Sequence, residues 1–506
     1  MTKKTYEKIF TILTLIAIFG YCFYRLRYSV VANDDVEDFI PYNYELWHGR
    51  IVFEVLTYWI MIWLPTKLNI SLQNFAIFSS TFFKTLIWTT LIYQICCISN
   101  NIKKIPFLFP FMLITIHLLL LALLISNEFS WTFDIFQYYT GYIGAMICWI
   151  LFWKKLYNLY VNKDEATNKN LIILSIFSFL AMTGNEELNI FANILLVLLF
   201  LFTKEKNKNL IKIIGIPLIT MSIINLALYT NNNGATGMLE KYNLHFIFTQ
   251  PLEIYKNYIK LFFERIILEN IFIFIPFITV LILFFKEKIN NSKLLKYTLL
   301  TIISMFLYTF ILVHIPHNAY MTKNSHPFWF LHCGLLTSFD ISLLIAILFF
   351  IGNVITKLKK HTMYLTILLI ILCFSTQIFI NRPIGMDLKY CTKIGKEHLY
   401  QADKMVNFYF KQNKTAIISK DVTFGALKIC EIDELRENKE IYTKIYSTKE
   451  SQYLQYVKQE YNLDVTPGLT FLPEEEAIKI YIEQGGSFTD EELEKLDFQK
   501  LKNNSI

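Results

Sequence analysis

The chain has 506 residues, of which 54% are hydrophobic and 18% are charged, and its mean hydropathy is +0.39. Soluble domains carry about 25% charged residues, so this composition excludes an ordinary soluble enzyme as well as a disordered chain. The net charge of +7 divides into −4 for residues 384–506 and +11 for the residues before them. Because the basic excess lies in short loops between apolar segments, it indicates membrane topology and not nucleic-acid binding.

Long apolar segments recur along the chain. A membrane-spanning helix needs about 20 mainly apolar residues. Eleven segments come close to that length, at residues 8–26, 74–98, 105–126, 138–153, 170–184, 188–203, 210–229, 270–285, 297–315, 328–351 and 362–380. Two further segments, 51–64 and 251–269, are amphipathic and predict helices that lie in the headgroup layer. The sequence therefore predicts an α-helical polytopic membrane protein.

The loops between these segments fall into two classes. One class is short and rich in lysine, as at 154–169, whereas the other is longer, more acidic and more aromatic, as at 27–73 and 230–269. The positive-inside rule places the lysine-rich class, and with it the N-terminus, in the cytoplasm. After eleven spans, residues 384–506 are predicted to form a small soluble α/β or α+β domain on the outer side, following a transmembrane domain of residues 1–383.

The first outer loop contains an acidic pair. Asp34 and Asp35 follow Asn33 shortly after the first predicted span. Adjacent carboxylates repel each other, so such a pair is solvated, binds a cation, or has one raised pKa that lets a carboxylate act as a base. The pattern predicts a catalytic pair, with a divalent cation as an optional cofactor, or else a solvated acidic loop.

Basic groups in the outer loops are candidates for binding a phosphate. His48 and Arg50 precede the first amphipathic segment, where an arginine can bind a phosphate with two parallel hydrogen bonds or contact ordinary lipid headgroups. Arg265, in the second amphipathic segment, is a weaker candidate. His317 and Lys323 lie in the last outer loop, where they suit phosphate binding or proton transfer, or belong to an interfacial loop without a function.

Two more polar groups stand at the entrances of predicted spans. Tyr138 and Tyr139 precede Thr140–Gly141 and suit a sugar site, although an interfacial aromatic belt has the same composition. Glu186 and Glu187 occupy a tight turn between two apolar segments. Carboxylates within a membrane are expensive, so at least one of them is predicted to face an aqueous cavity, unless the turn is simply exposed.

In chain order, these motifs resemble those of the GT-C fold glycosyltransferases, integral membrane enzymes that take a sugar from a lipid-phosphate carrier. The similarity extends over residues 1–380 and is closest to a bacterial family of polytopic proteins, in which Asn is common at the position of Glu187. The matching motifs are Asn33–Asp34–Asp35, Gly49–Arg50, Thr140–Gly141 and Gly184–Asn185–Glu186. The resemblance implies transfer of a sugar from a polyprenyl-phosphate donor to a cell-envelope glycan or lipid acceptor, on the outer side of a bacterial inner membrane.

The chemistry of such a transfer assigns a role to each charged group. Asp34 or Asp35 would act as the general base on the acceptor hydroxyl, and Arg50, with Arg265 or Lys323, would supply positive charge to the leaving phosphate. A transporter or flippase of lipid-linked glycans, or a glycan polymerase, could use the same groups. Transporters usually contain related halves, and the sequence has no such internal symmetry, which favours an enzyme.

The eight cysteines show no CxxC spacing, and those in the apolar segments are predicted to be small buried hydrophobic residues. Cys391 and Cys430 are the two in the tail. If the tail is exported, they predict a disulfide that closes a loop of about 40 residues. The alternative is that Cys430 is part of a core and Cys391 is a surface thiol.

Overall fold

The computed structural model describes residues 3–26, 64–68, 72–98, 107–124, 143–161, 166–182, 186–203, 208–230, 252–261, 271–289, 291–313, 336–355, 404–405, 408–409, 412, 414–419, 469–472 and 474–489. Within them, the helices are α1 (Lys3–Leu26), α2 (Leu64–Leu68), α3 (Leu72–Cys96), α4 (Leu108–Leu124), α5 (Ala145–Tyr160), α6 (Asn168–Met182), α7 (Glu186–Phe202), α8 (Lys208–Thr230), α9 (Leu252–Leu261), α10 (Ile271–Lys286), α11 (Ser292–Val313), α12 (Leu336–Ile355) and α13 (Glu474–Glu483). The two strands are β1 (Ala416–Ser419) and β2 (Leu469–Leu472). The α-helical class is therefore confirmed.

Ten of the eleven predicted spans fall on helices, and the eleventh, 362–380, lies outside the described residues. Helix α5 continues past residue 153, the predicted end of the fourth span, to Tyr160. The two lysines that were expected to open a loop are bonded inside the bundle. Lys154 Nζ donates to the carbonyl of Cys97 at 2.7 Å, and Lys155 Nζ donates to Asn170 Oδ1 at 2.7 Å. Since both ammonium groups have partners, their charge does not end the helix.

Helix α12 lies at the centre of the bundle. Its residues from Ile341 to Gly352 are buried, and it packs against α4, α5, α10 and α11. Phe349 contacts the rings of Trp153 and Tyr157 on α5, with centroid distances of 4.7 and 4.3 Å. The ring of Phe350, the next residue, lies 5.5 Å from that of Phe277 on α10. A helix that is apolar on all sides must be covered on all sides, and α12 meets that requirement.

The outward faces of the bundle are apolar. Ile12, Leu13 and Ile16 are more than half exposed on α1, as are Ile278 and Ile282 on α10. In the part of the chain that the structure describes, two helices are long and apolar enough to cross a membrane, at Lys4–Tyr24 and Ser292–Phe310. Other apolar helical segments in that part of the chain have 10–17 residues. Large exposed apolar surfaces mark contact with protein or membrane and not with water.

The two predicted amphipathic segments are described in part. Helix α9 covers 252–261 of the second segment, and α2 begins at the last residue of the first. Leu252 and Ile259 are exposed on α9, and so are Lys256 and Lys260. This arrangement of apolar and basic side chains on one short helix agrees with the amphipathic pattern in the sequence.

The described part of the tail contains the parallel pair β1–β2, in which Ala416 lies opposite Leu469 and Ser419 opposite Leu472. These strands and the helix beside them agree with the mixed α and β content predicted for residues 384–506. Helix α13 follows β2 and packs on both strands. Parallel strands need a long crossover connection, which the 49 residues between these strands provide.

Candidate functional site

A polar face runs along α3, inside the group of three helices formed by α1, α3 and α4. Thr81, Lys84, Thr85 and Trp88 stand at spacings of three, four and seven residues, so they share one side of the helix. All four side chains are at most 2% exposed. Helix α3 packs against α1 and α4. Its sequence is apolar over most of its length, and these four residues interrupt the apolar pattern on one side.

The polar face is tied to the end of α1. Thr81 Oγ1 donates a hydrogen bond to the carbonyl oxygen of Leu26 at 2.9 Å. Leu26 is the last residue of α1, where backbone carbonyls have no partner within the helix. Lys84 is three residues from Thr81, about 4.5 Å along the helix axis. The ammonium-bearing residue is therefore about one helical turn from the level at which α1 ends.

Further along the same face, Trp88 contacts α4. The indole Nε1 of Trp88 donates to His117 Nδ1 at 3.0 Å. The ring of Tyr21 on α1 meets the His117 ring edge-on at 5.6 Å. Because indole N–H only donates, Nδ1 accepts, and the neutral imidazole carries its proton on Nε2. One residue from each of the three helices thus meets at this point.

Lys84 and Thr85 are the unusual members of the face. Neither has any exposed surface. A lysine ammonium group is costly to bury, and within a membrane helix an ionisable side chain indicates a functional site. Thr85 Oγ1 has no hydrogen-bond partner among the described residues. Buried hydroxyl groups are nearly always bonded, so an orphaned one beside a buried cation calls for an explanation.

A second buried polar cluster lies between α5 and α11, and its hydrogen bonds are complete. Trp153 Nε1 donates to Thr301 Oγ1 at 3.2 Å, and Thr301 Oγ1 donates to the carbonyl of Tyr297 at 2.9 Å. The Tyr297 hydroxyl in turn donates to the Trp153 carbonyl at 2.9 Å. Every polar side-chain atom of these three residues has a partner. This cluster therefore joins the two helices and offers no open group to a ligand.

Two of the residues singled out in the sequence are the first residues of α7, Glu186 and Glu187. Two residues later Asn189 is buried, and its Oδ1 accepts a hydrogen bond from Asn193 Nδ2 at 2.9 Å. The other candidates lie outside the described residues: Asp34, Asp35, His48, Arg50, Tyr138, Tyr139, Arg265, His317 and Lys323. Their roles stay predictions.

Metal and cysteine chemistry can be assessed only in part. Within the described ranges, no group of three His, Cys, Asp or Glu side chains is placed to hold a metal ion. The divalent cation considered for the acidic loop concerns residues outside those ranges. Cys22, Cys96, Cys97 and Cys148 form no disulfide; the first three are buried as predicted, and Cys148 is half-buried. The proposed pair Cys391 and Cys430 lies outside the described residues.

The sequence analysis missed the polar face of α3. A single charge in the middle of an apolar segment is a usable signal, since Lys84 is the one charged residue of α3. The partner of Trp88 could not be found that way, because His117 belongs to a different helix. Comparison with protein-family models, with curated proteins and with solved structures finds no match for this chain.

Proposed function

We propose that the chain is a membrane glycosyltransferase that moves a sugar from a polyprenyl-phosphate donor to a cell-envelope glycan or lipid acceptor. The reaction takes place on the outer side of a bacterial inner membrane. The N-terminus lies in the cytoplasm, the eleven helical segments span the membrane, and residues 384–506 lie outside. Three features support this proposal: the apolar surface of the bundle, the buried lysine, and the order of the sequence motifs.

The membrane location is supported by the outward-facing side chains. Ile12, Leu13 and Ile16 of α1 project from a helix that follows a lysine-rich N-terminus. Water would penalise such a surface, whereas lipid chains would cover it without cost. The lysines at the ends of α5 and α11 lie at loops that the positive-inside rule assigns to the cytoplasm.

The observation that carries the proposal is the position of Lys84. It is buried on the face of α3 that Thr81 joins to Leu26, and Asp34 follows Leu26 by eight residues. Eight residues of extended chain span at most about 28 Å, so the acidic pair is confined to the neighbourhood of that end of α1. A cation inside the bundle and two carboxylates near its end are the charges that a sugar-phosphate transfer requires.

The proposed reaction is a single inverting displacement. Asp34 or Asp35 accepts the proton of the acceptor hydroxyl, whose oxygen attacks the anomeric carbon of the sugar. The new glycosidic bond forms as the bond from that carbon to the phosphate oxygen breaks, and the phosphate leaves with the electron pair. Positive charge from Arg50, with Arg265 or Lys323, stabilises the developing anion. His48, Tyr138, Tyr139, Glu186, Glu187 and His317 are proposed to bind the substrates.

A transporter or flippase of lipid-linked glycans is the alternative, and the burial of Lys84 in a helix is a feature that it would share. Transporters hold their substrate near the middle of the membrane. Lys84 is the thirteenth of the 25 residues of α3, so its depth does not separate the two functions. The enzyme is favoured because the sequence contains no related halves of the kind that transporters usually have.

The test is sugar transfer in membranes that contain Asp34→Asn or Asp35→Asn, with radiolabelled polyprenyl-phosphate hexoses as donors. Loss of the general base should lower the rate by about 100-fold or more in one of the two variants. Asp38→Asn, in the same loop, is the matched control and should keep most of the activity. Full transfer by both variants would contradict the proposal, and lipid translocation without transfer would favour the flippase.

A further inference from the structure

We infer that the end of the bundle at which α1 begins is an interaction surface for the headgroups of anionic phospholipids, and that exposed lysines supply its charge. This surface goes beyond the proposed function and serves an enzyme and a flippase alike, because it depends on the membrane location only. It lies on the side that the positive-inside rule assigns to the cytoplasm, opposite the side predicted for Asp34 and Asp35.

Hydrogen bonds between helix ends show which of them lie together. The end of α5 is bonded to the start of α6, to the residue after α7 and to the residue after α3, and the start of α11 is bonded to the end of α7. Near the end of α3, the ring of Tyr93 lies 5.9 Å from that of Phe109 in the first turn of α4. The start of α4 is in turn bonded to α1. The bonded pairs are Glu7–Phe107, Lys154–Cys97, Lys155–Asn170, Tyr160–Thr203 and Lys296–Phe202.

Exposed lysines surround this end of the bundle. They lie at the starts of α1, α6, α8 and α11 and at the turn between α10 and α11. The acidic residues described there are Glu287 and Glu7, and the carboxylate of Glu7 accepts a hydrogen bond from the Phe107 amide at 3.3 Å. An excess of one charge on a surface attracts partners of the opposite charge. The exposed lysines are Lys4, Lys8, Lys169, Lys208, Lys212, Lys286, Lys288 and Lys293.

Exposed apolar side chains beside the lysines identify the anionic partner as a lipid. Ile211 is 52% exposed next to Lys212, and Phe285 is 62% exposed next to Lys286. On α8, Lys208, Ile211 and Lys212 stand at spacings of three and four residues, so they share one face of the helix. An acidic protein or a nucleic acid would match the charge and leave the isoleucine in water. An anionic phospholipid matches both, because its headgroup meets the ammonium groups while its acyl chain covers the apolar side chain.

The positions of the lysines within their helices carry a cost that the same partner offsets. The first turns of α6, α8 and α11 contain Lys169, Lys208 and Lys293 and no acidic residue. A lysine there opposes the positive end of the helix dipole, which favours carboxylates. A phosphodiester headgroup beside these lysines interacts favourably with the ammonium group and with the dipole. The positive-inside rule explains the side of the membrane on which the lysines lie and not this placement.

The experiment measures lipid binding to the delipidated full-length protein in detergent by native mass spectrometry. The probes are phosphatidylglycerol and phosphatidylcholine with identical acyl chains, and wild-type protein should bind phosphatidylglycerol at least ~10-fold more tightly. Lys208→Gln with Lys212→Gln should lower the apparent affinity for phosphatidylglycerol ~3-fold and leave that for phosphatidylcholine unchanged. Lys414→Gln with Lys479→Gln removes two exposed lysines from the tail and is the charge-matched control, which should bind both lipids as the wild type does.

Equal binding of the two lipids by wild-type protein would overturn the inference. An equal loss in the tail variant would also overturn it, since net charge alone would then set the affinity. Polyglutamate serves as a third probe: if it binds through Lys208 and Lys212 while phosphatidylglycerol is not preferred, the surface takes an acidic protein and not a lipid. If the Lys208 and Lys212 variant aggregates, Lys288→Gln with Lys293→Gln replaces it, and an unchanged affinity of that variant for phosphatidylglycerol would overturn the inference.

The outcome is separable from that of the proposed function. Asp34→Asn and Asp35→Asn should keep the wild-type preference for phosphatidylglycerol, because they alter the predicted base on the other side of the membrane. A protein that prefers phosphatidylglycerol through its lysines but transfers no sugar would keep the surface and reject the enzyme. Sugar transfer without any lipid preference would keep the enzyme and reject the surface.

Discussion

The bundle contains two buried polar clusters that differ in how completely their groups are satisfied. Between α5 and α11, the side chains of Trp153, Tyr297 and Thr301 bond to one another or to the backbone, in a closed set. On α3, the face that begins at Thr81 contains a buried ammonium group and an orphaned hydroxyl. Apolar helices thus keep polar groups in two arrangements. The closed set joins two helices by hydrogen bonds, whereas the α3 face combines a buried charge with a hydroxyl that has no hydrogen-bond partner among the described residues.

The lysines of the bundle differ in where they lie on their helices and neighbours. Lys154 donates to the carbonyl of Cys97, at the end of α3, and Lys296 donates to the carbonyl of Phe202, the last residue of α7. Both ammonium groups satisfy carbonyls that a helix C-terminus leaves without a partner, and both favour the negative end of the helix dipole. These two lysines therefore stabilise helix ends, in addition to marking the loops that the sequence predicts to be cytoplasmic. Lys84 differs from them in its place, since it lies in the middle of α3 and not at a helix end.

The strongest test of the comparison is removal of a large ring from the closed cluster. Trp153→Ala should destabilise the bundle by about 3–5 kcal/mol, because it leaves a cavity against Phe349 and removes the hydrogen bond that Thr301 Oγ1 accepts. Thermal denaturation in detergent would measure the loss. Phe285→Ala, which truncates an exposed ring on α10, is the control and should shift the midpoint little. Equal shifts would show that the cluster does not hold the bundle together.

A smaller effect is expected at the contact between Trp88 and His117. Trp88→Phe and His117→Phe each leave a buried partner without its hydrogen bond, at a cost of about 1–3 kcal/mol. The double variant removes both polar atoms, so it should be more stable than the sum of the single effects predicts, by about 1 kcal/mol. The same denaturation measurement gives all four values. Strictly additive effects would show that the bond does not link α3 to α4.

The sequence predicts the elements of this fold better than its site. Long apolar runs such as 170–184 and 188–203 predict helices because nothing else in a chain so apolar can satisfy the backbone. Helix α5 extends beyond its apolar segment, and Lys154 in that extension bonds to a carbonyl 57 residues away in the chain, which local composition does not reveal. The hydrogen bond of Trp88 to His117 also joins residues on different helices, so local composition does not reveal it either. The acidic and basic loop motifs stay predictions, since they lie outside the described residues.

Among the described residues, four buried hydroxyls have no hydrogen-bond partner, those of Thr85, Thr298, Ser342 and Tyr409. The one in the tail, Tyr409, is compared with Thr85. Tyr409 has no exposed surface, and its hydroxyl has no hydrogen-bond partner among the described residues. Its ring lies 5.3 Å from that of Phe408 and 6.2 Å from that of Tyr481, so the contacts are aromatic. Burial, and then the neighbouring Tyr481, raise the pKa of the Tyr409 hydroxyl. Among the described residues of the tail, none is a buried charged side chain of the kind that accompanies Thr85.

The smallest predicted effect is therefore a gain of stability in Tyr409→Phe. The substitution keeps the ring and removes an unsatisfied buried hydroxyl, which should stabilise the tail by up to about 1 kcal/mol. The raised pKa means that the folded tail holds its proton more tightly than the unfolded chain does. The wild-type tail should accordingly lose stability as the pH rises above about 10, the ordinary tyrosine value, and the variant should lose less. Amide hydrogen exchange across β1 and β2 measures both effects; faster exchange in the variant at neutral pH would show that the hydroxyl has a partner and is not orphaned.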